Sequence, residues 1–365
     1  MTRHVDFFPD WRRWNPFQSM LFARLGDVGA EARPTRPLME HLEVAASSGS
    51  PGLLNLHWTT PVLRGAADHA DVEGRVARLD ELLGAFKAEG GRLVWTVHNV
   101  LPHDAAYPSA EARVCRVVAA HADLVHVLSD ETLPAVAPYY PLDPARVVTI
   151  PHSSYVGTYP QRIGRARARR RLGLAADDRV LVTLGLIRPY KGIDRLLDAF
   201  ARPPLDRADL RLLVAGPQGG GPGIQALVER LASTPRVISH PERVLDRDIQ
   251  LWLGAADLAV LPYAGILNSG SFLLAETFGL PVVAPRTGAL RSRDGSPHVR
   301  LFDPDDFETV LARAVTDLVD DPSAAAEARE SALATAAANP PDLMARRFAG
   351  VVGPLVVGAS GGSSR

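Results

Sequence analysis

The amino-acid sequence predicts an α/β protein made of two successive doubly wound domains. Short apolar runs alternate with helical spacing from end to end, the pattern of parallel strands joined by crossover helices. The 365 residues exceed what one core of ~250–300 residues usually organises, so two cores are expected. A stretch punctuated by Pro, Gly and Arg, residues 151–176, divides the strand series in two.

In the first series, strand-like runs fall at Val5–Phe8, Leu53–Trp58, Leu93–Val97, Leu124–Leu128 and Val147–Ile150. Between them, Val72–Ala88 and Glu111–His121 carry helical spacing of apolar residues. The second series runs Val180–Leu184, Leu212–Ala215, Val237–Ile238, Leu258–Leu261 and Val282–Ala284. Helices fit between these at Asp194–Phe200, Ile224–Leu231, Ile249–Ala255 and Gly270–Phe278. The expected division is a first domain over residues 1–160 and a second over 161–340, then a helix at 341–357. A Gly- and Ser-rich tail at 358–365 is expected to be disordered. Each doubly wound domain places its ligand site outside the carboxyl ends of its strands, and if the two domains face each other these ends line one cleft.

Composition narrows the partners. A net charge of −1, with 46% hydrophobic and 22% charged residues, excludes a disordered chain and gives no global electrostatic case for a nucleic-acid partner. The lone cysteine, Cys115, excludes an internal disulfide framework and a cysteine-rich zinc site. No apolar run reaches the ~20 residues that span a bilayer. Asp6, Trp11, Arg12, Arg13 and Trp14 stand where a secretory signal needs an apolar core, so a cytoplasmic location is expected. Arg162, Arg165, Arg167, Arg169, Arg170 and Arg171 crowd the domain junction. They read as a solvated helix face; a peripheral contact with anionic lipid is the other reading, and no apolar stripe supports insertion.

Chemistry concentrates at strand ends. Lys87 and Lys191 are the two lysines among forty basic residues, and Lys191 sits in the strand-to-helix loop Gly185-Leu186-Ile187-Arg188-Pro189-Tyr190-Lys191-Gly192. Arg188 supplies a planar fork and Lys191 a point charge, which suits a phosphate or diphosphate. A second loop, Pro262 to Ser271, opens a helix at Asn268-Ser269-Gly270-Ser271. Asn268 or Ser269 caps that helix, and the free amides of its first turn make an anion site. In the first domain His57, His98 and His152 follow strands, where an imidazole serves as acid, base or donor or is satisfied by backbone carbonyls. His103 and Asp104 lie on the next loop as a candidate base pair. Trp11 and Asn15, in Pro9-Asp10-Trp11-Arg12-Arg13-Trp14-Asn15-Pro16-Phe17, resemble an acceptor-binding surface, although Asn15 before Pro16 also reads as a helix start. Gly221-Pro222-Gly223-Ile224-Gln225-Ala226 matches a dinucleotide fingerprint formally, but it lacks the tight turn directly after a strand. Asp303-Pro304-Asp305-Asp306 reads as an N-cap with acids in the first turn.

These pieces, in this order, resemble a GT-B glycosyltransferase of the group that includes bacterial mannosyltransferases and exopolysaccharide hexosyltransferases. The anchors are Thr96-Val97-His98-Asn99, Pro102-His103-Asp104, Ile150-Pro151-His152, Ile187-Arg188-Pro189-Tyr190-Lys191-Gly192, and Asn268-Ser269-Gly270-Ser271 leading to Phe278-Gly279-Leu280-Pro281. The resemblance implies two Rossmann-like domains around an interdomain cleft, closed by a helix at 343–352 that returns to the first domain. It implies that Arg188, Lys191 and the amides at Ser269–Ser271 hold the donor diphosphate, with His98 at the donor sugar. It also implies a nucleotide-sugar donor (GDP-mannose favoured), a sugar, glycolipid or small-molecule acceptor, and neither a cofactor nor a metal.

Many relatives carry two glutamates at the donor helix. Those positions fall at Ile266 and Leu274 here; Asn268 and Glu276, offset by two residues, are carried as donor-binding candidates together with His152. Leu186 stands where relatives have Arg. The alternatives are a non-catalytic sugar-nucleotide-binding module and a nucleotide-sugar 2-epimerase of the same fold.

Overall fold

A computed structural model describes residues 3–49, 51–102 and 105–358. The chain divides into two units, one running up to His152 and resuming at Pro341, the other Ser153–Pro340. The tail expected to be disordered lies outside the described residues from 359 onward.

The first unit is built on six parallel strands: β1 (Arg3–Phe8), β2 (Ala30–Pro34), β3 (Leu53–Leu56), β4 (Arg92–Val97), β5 (Leu124–Val127) and β6 (Val147–Thr149). Their order is β2-β1-β3-β4-β5-β6. Strand order reverses between β1 and β3, so the loops after these two strands flank the switch point where such sheets bind ligands. The sequence expectation misses β2. Its Ala-Glu-Ala-Arg-Pro run is short, carries charge and ends in proline, which only an edge strand tolerates. Helix Pro341–Gly358 belongs to this unit, where Asp342 accepts from Arg24 Nε at 2.5 Å and Phe348 packs on Phe22.

The second unit repeats the plan with β7 (Arg179–Leu184), β8 (Leu210–Ala215), β9 (Val237–His240), β10 (Leu258–Val260), β11 (Val282–Pro285) and β12 (Val299–Phe302). The order β12-β11-β10-β7-β8-β9 puts its switch point between β7 and β10. Side chains alternate across this sheet. Leu181, Val260 and Phe302 enter one core, and Val180, Val182, Ala259 and Val282 the other. Both cores are needed because a parallel sheet with helices on both faces buries nearly every strand residue. Edge strand β12 is missed in the sequence, because four residues with an arginine inside give no period.

Two junction expectations change. The unit boundary falls at His152/Ser153, before the expected 160/161: Ser154 N donates to Asn339 O (2.8 Å), and Tyr155 N donates to Thr277 Oγ1 (2.9 Å). These bonds tie residues 153–155 to the second unit. The arginine run is only partly a solvated face. Arg169 is 3% exposed and donates to Ala255 O, Ala176 O and Asp257. Asp303 does not cap a helix either. Its amide donates to Asp306 Oδ1, and the helix begins at Phe307.

Glycines set how closely the loops of the second unit approach. Gly216 has φ +143°, and a Cβ there would lie 2.0 Å from Gly185 O. Alanine at Gly216 combines a disfavoured backbone conformation with a backbone clash, so Gly216→Ala is expected to cost about 2 kcal/mol or more. A thermal melt several degrees below wild type checks this; an unchanged Tm would contradict it.

Candidate functional site

In the second unit, loops from β7, β8 and β10 meet at the carboxyl edge of the sheet. Gly192 has φ +61° and leaves room for Pro262 O, 2.0 Å from where a Cβ would stand. Ala264 N donates to Tyr190 O at 3.1 Å, so the β7 and β10 loops are in direct backbone contact. Ile187 bridges to Gln218 of the β8 loop, and the Arg188 side chain lies over Gly219, where any Cβ would strike its Cγ and Nε. Lys191 Nζ sits 3.8 Å from the centre of the buried Tyr263 ring and 5.3 Å from that of Tyr190. Burial works against its charge, but the two tyrosines outweigh that and raise its pKa above the ordinary lysine value. The cation is therefore kept, half-buried, at the switch point.

Helix Gly270–Thr277 begins at the same place. Ser269, rather than Asn268, is its cap, accepting from Phe272 N at 3.2 Å. Ser271 Oγ donates to Leu184 O at the end of β7 (3.2 Å) and lies 3.3 Å from the Cβ position of Gly185. The structure thus brings the loops that carry Arg188, Lys191 and Asn268–Ser271 to the same carboxyl edge of the sheet. Glu276 does not join them. It is 1% exposed at the far end of the helix, where His298, preceding β12, bonds its Oε1 at 3.0 Å. Its expected donor contact is replaced by a buried pair at the opposite end of the sheet. A cavity of about 590 Å³ beside edge strand β12, bordered by Arg286, Arg300 and Arg313, includes none of these loop residues.

The first unit gathers a different set at its own switch point. Trp11, after β1, packs on Trp58, after β3, with ring centres 4.3 Å apart. Trp58 stacks on His98 at 3.9 Å and 13°. His57 Nδ1 and His98 Nε2 are 3.0 Å apart. Phe17 presents its ring to His98 and to His152, each at 4.9 Å. Asn15 Oδ1 accepts from Phe17 N at 2.9 Å and so starts the helix that carries Phe17, which is the helix-start reading of its sequence. His103 and Asp104 lie outside the described residues. Burial pushes the pKa values of His57 and His98 well below the usual imidazole range, and neighbouring histidines push the same way. His126 lies beneath them, its Nε2 bonded to Ile150 O at 3.0 Å, and is pushed down to about 4. His57, His98 and His126 are therefore neutral at neutral pH.

Comparison with known proteins fits both units. Residues 178–321 match the family described as "Glycosyl transferases group 1". The second unit carries a group 1 glycosyltransferase domain. The chain is 29% identical over 316 residues to a GDP-mannose:glycolipid 4-beta-D-mannosyltransferase of Xanthomonas campestris pv. campestris, covering 84% of this chain and 80% of that one. It is 32% identical over 200 residues to a D-inositol 3-phosphate glycosyltransferase of Kineococcus radiotolerans, covering 50% of this chain and 46% of the relative. The chain thus spans about half the length of that relative. Anabaena HepE in complex with UDP superposes with a TM-score of 0.70 at 19% identity, covering 96% of this chain and 92% of HepE. The fold is that of GT-B glycosyltransferases.

Within the glycosyltransferase domain, the positions where the resemblance placed acids are filled differently. Ile266 uses its backbone, its amide donating to Thr287 Oγ1 at 3.2 Å, and Leu274 is a half-buried apolar side chain. Sequence reasoning missed Trp58, the β8 loop at Gly216 and Gly219, and Glu111. Glycine spacing marks the loop only once its partner carbonyls are known. Glu111 reads as an ordinary first-turn acid of helix Pro108–His121, yet it is 4% exposed, and its Oε2 has no hydrogen-bond partner among the described residues. It stands one turn before Cys115, which lines a small cavity with His57, Trp58, His98 and Asn99. Burial raises Glu111 from 4.5 to about 7 and Cys115 to about 12.

A carboxyl whose folded pKa is raised contributes stability that is complete below about pH 4.5 and lost as pH rises through about 7. Glu111→Gln is therefore expected to gain on wild type between pH 5 and pH 8, by on the order of 2–3 kcal/mol. Denaturant titrations at the two pH values check it. A difference that stays constant across that range would contradict it.

Proposed function

We propose that the protein transfers a hexosyl group from a nucleoside-diphosphate sugar to a hydroxyl acceptor, with GDP-mannose the favoured donor. The observation that carries the reading is the meeting, at one switch point, of a retained lysine cation with the capped amino end of helix Gly270–Thr277. A cation and inward-aimed amides suit the pyrophosphate of such a donor. The mannosyltransferase relative is named for GDP-mannose and HepE was solved with UDP, so both support a nucleoside-diphosphate donor.

In this reading the acceptor oxygen attacks the anomeric carbon while the bond from that carbon to the diphosphate oxygen breaks. The acceptor proton passes to a base, and negative charge builds on the leaving diphosphate. Lys191, Arg188 and the amides from Ser269 to Ser271 stabilise that charge, and they cost no reorganisation because packing already holds them. These cations supply the positive charge, so a divalent ion is not needed. Trp11 and Asn15 belong to the acceptor side of the reading; His57, expected there too, is 1% exposed and bonded to His98, so it acts through His98. Inversion would draw on Asp104 or His103 as base, whereas retention needs no protein base at the acceptor.

The test is release of nucleoside diphosphate from GDP-mannose or UDP-glucose in the presence of an acceptor mixture and EDTA. Turnover that survives EDTA and falls about 100-fold or more in Lys191→Ala, with the melt unchanged, is expected. Donor binding without release under every condition would favour the non-catalytic binding module, and near-normal turnover of Lys191→Ala would refute the clamp.

A further inference from the structure

The contact between His57 and His98 specifies more than proximity. His57 is 1% exposed, and its Nδ1 faces His98 Nε2 at 3.0 Å. Its other nitrogen, Nε2, is buried with no hydrogen-bond partner among the described residues. A neutral imidazole carries one N–H, so only two arrangements satisfy the contact. If the proton of His57 sat on Nε2, a buried N–H would be left without an acceptor, an arrangement that native structures almost never tolerate. If it sits on Nδ1, that N–H donates to His98 Nε2, and only a lone pair is left unpaired on His57. A bare acceptor is the cheaper loss.

We infer that His57 is a positioning residue that holds His98 in its Nδ1–H tautomer. With Nε2 of His98 already accepting, His98 cannot take a proton there. It acts as a neutral hydrogen-bond donor rather than as a general base. Its ring plane is fixed independently, by Trp58 stacked on one side and Phe17 edge-on. The buried Asn55–Thr96–His126 chain beneath, with Asn55 Nδ2 donating to Thr96 Oγ1 at 3.1 Å, braces the same strand ends. The consequence for activity rests on the transfer reading above; the tautomer itself does not.

Ring 15N–1H correlation spectra of 15N-histidine-labelled full-length protein test the inference. In the wild type, both His57 and His98 are expected to carry the proton on Nδ1. His57→Phe keeps a ring of similar size and removes the donor, so the Nε2 resonance of His98 is expected to move downfield to that of an unpaired ring nitrogen while the proton stays on Nδ1. His57→Asn retains a donor near the Nδ1 position and is expected to restore the hydrogen-bonded Nε2 resonance at His98. In turnover, His57→Phe should lower kcat about tenfold, the worth of one hydrogen bond, with KM little changed, and His57→Asn should recover most of it. His98 protonated on Nε2 in the wild type, or its Nε2 resonance unmoved in His57→Phe, overturns the inference. Should His57→Phe fail to fold, the wild-type and His57→Asn spectra decide it. The expected tautomers with no donor turned over would sustain the inference and remove the transfer reading instead.

Discussion

The second unit depends on backbone packed against backbone. Gly192 admits Pro262 O, Gly216 admits Gly185 O, and Gly288 admits the carbonyls of Ile266 and Leu267. Each contact is possible only because no Cβ intervenes, and each lies beyond the carboxyl ends of strands that a parallel sheet has already brought side by side. The close approach puts Lys191 on the face of Tyr263 and the first turn of helix Gly270–Thr277 against the end of β7. Sheet order and glycine placement thus set the positive end of this helix at the edge, and the Lys191 side chain adds a cation beside it.

The first unit manages charge in the opposite way. Its switch point is packed with tryptophan, phenylalanine and imidazole, and burial holds His57, His98 and His126 neutral. Protonating any of them would bury a charge among like neighbours, which is unfavourable in a low-dielectric site. These imidazoles therefore belong to hydrogen-bonding chemistry at neutral pH. The two units divide the electrostatic labour: one keeps a cation where an anion can meet it, and the other keeps a polar surface without net charge. Stacked rings such as Trp11 on Trp58 suit the apolar faces of a sugar.

Much of this was readable in the residues. Buried strands such as Val180–Leu184 announce themselves as unbroken apolar runs, and loops that follow them are the obvious places for Arg188 and Lys191. The edge strands were not readable, because β2 and β12 are short, charged and half-wet, so they carry neither alternation nor length. Glu276 misled for a related reason: its spacing resembles a donor contact, but the helix turns it toward His298 at the opposite end of the sheet. Glu111 and the His57–His98 contact escaped because burial and pairing across 41 residues of sequence leave no local pattern. What one sequence shows well is which strands end where. What it conceals is which side chains those ends then force together.

The loop ends of the second unit are proposed as a pyrophosphate site. Calorimetric titration of the protein with a nucleoside, its monophosphate and its diphosphate, for guanosine and uridine, measures this directly. Affinity is expected to rise about tenfold or more from monophosphate to diphosphate for the preferred base, the increment that one added charge-assisted contact supplies. Equal affinity for nucleoside and diphosphate in both series would rule out a pyrophosphate site there.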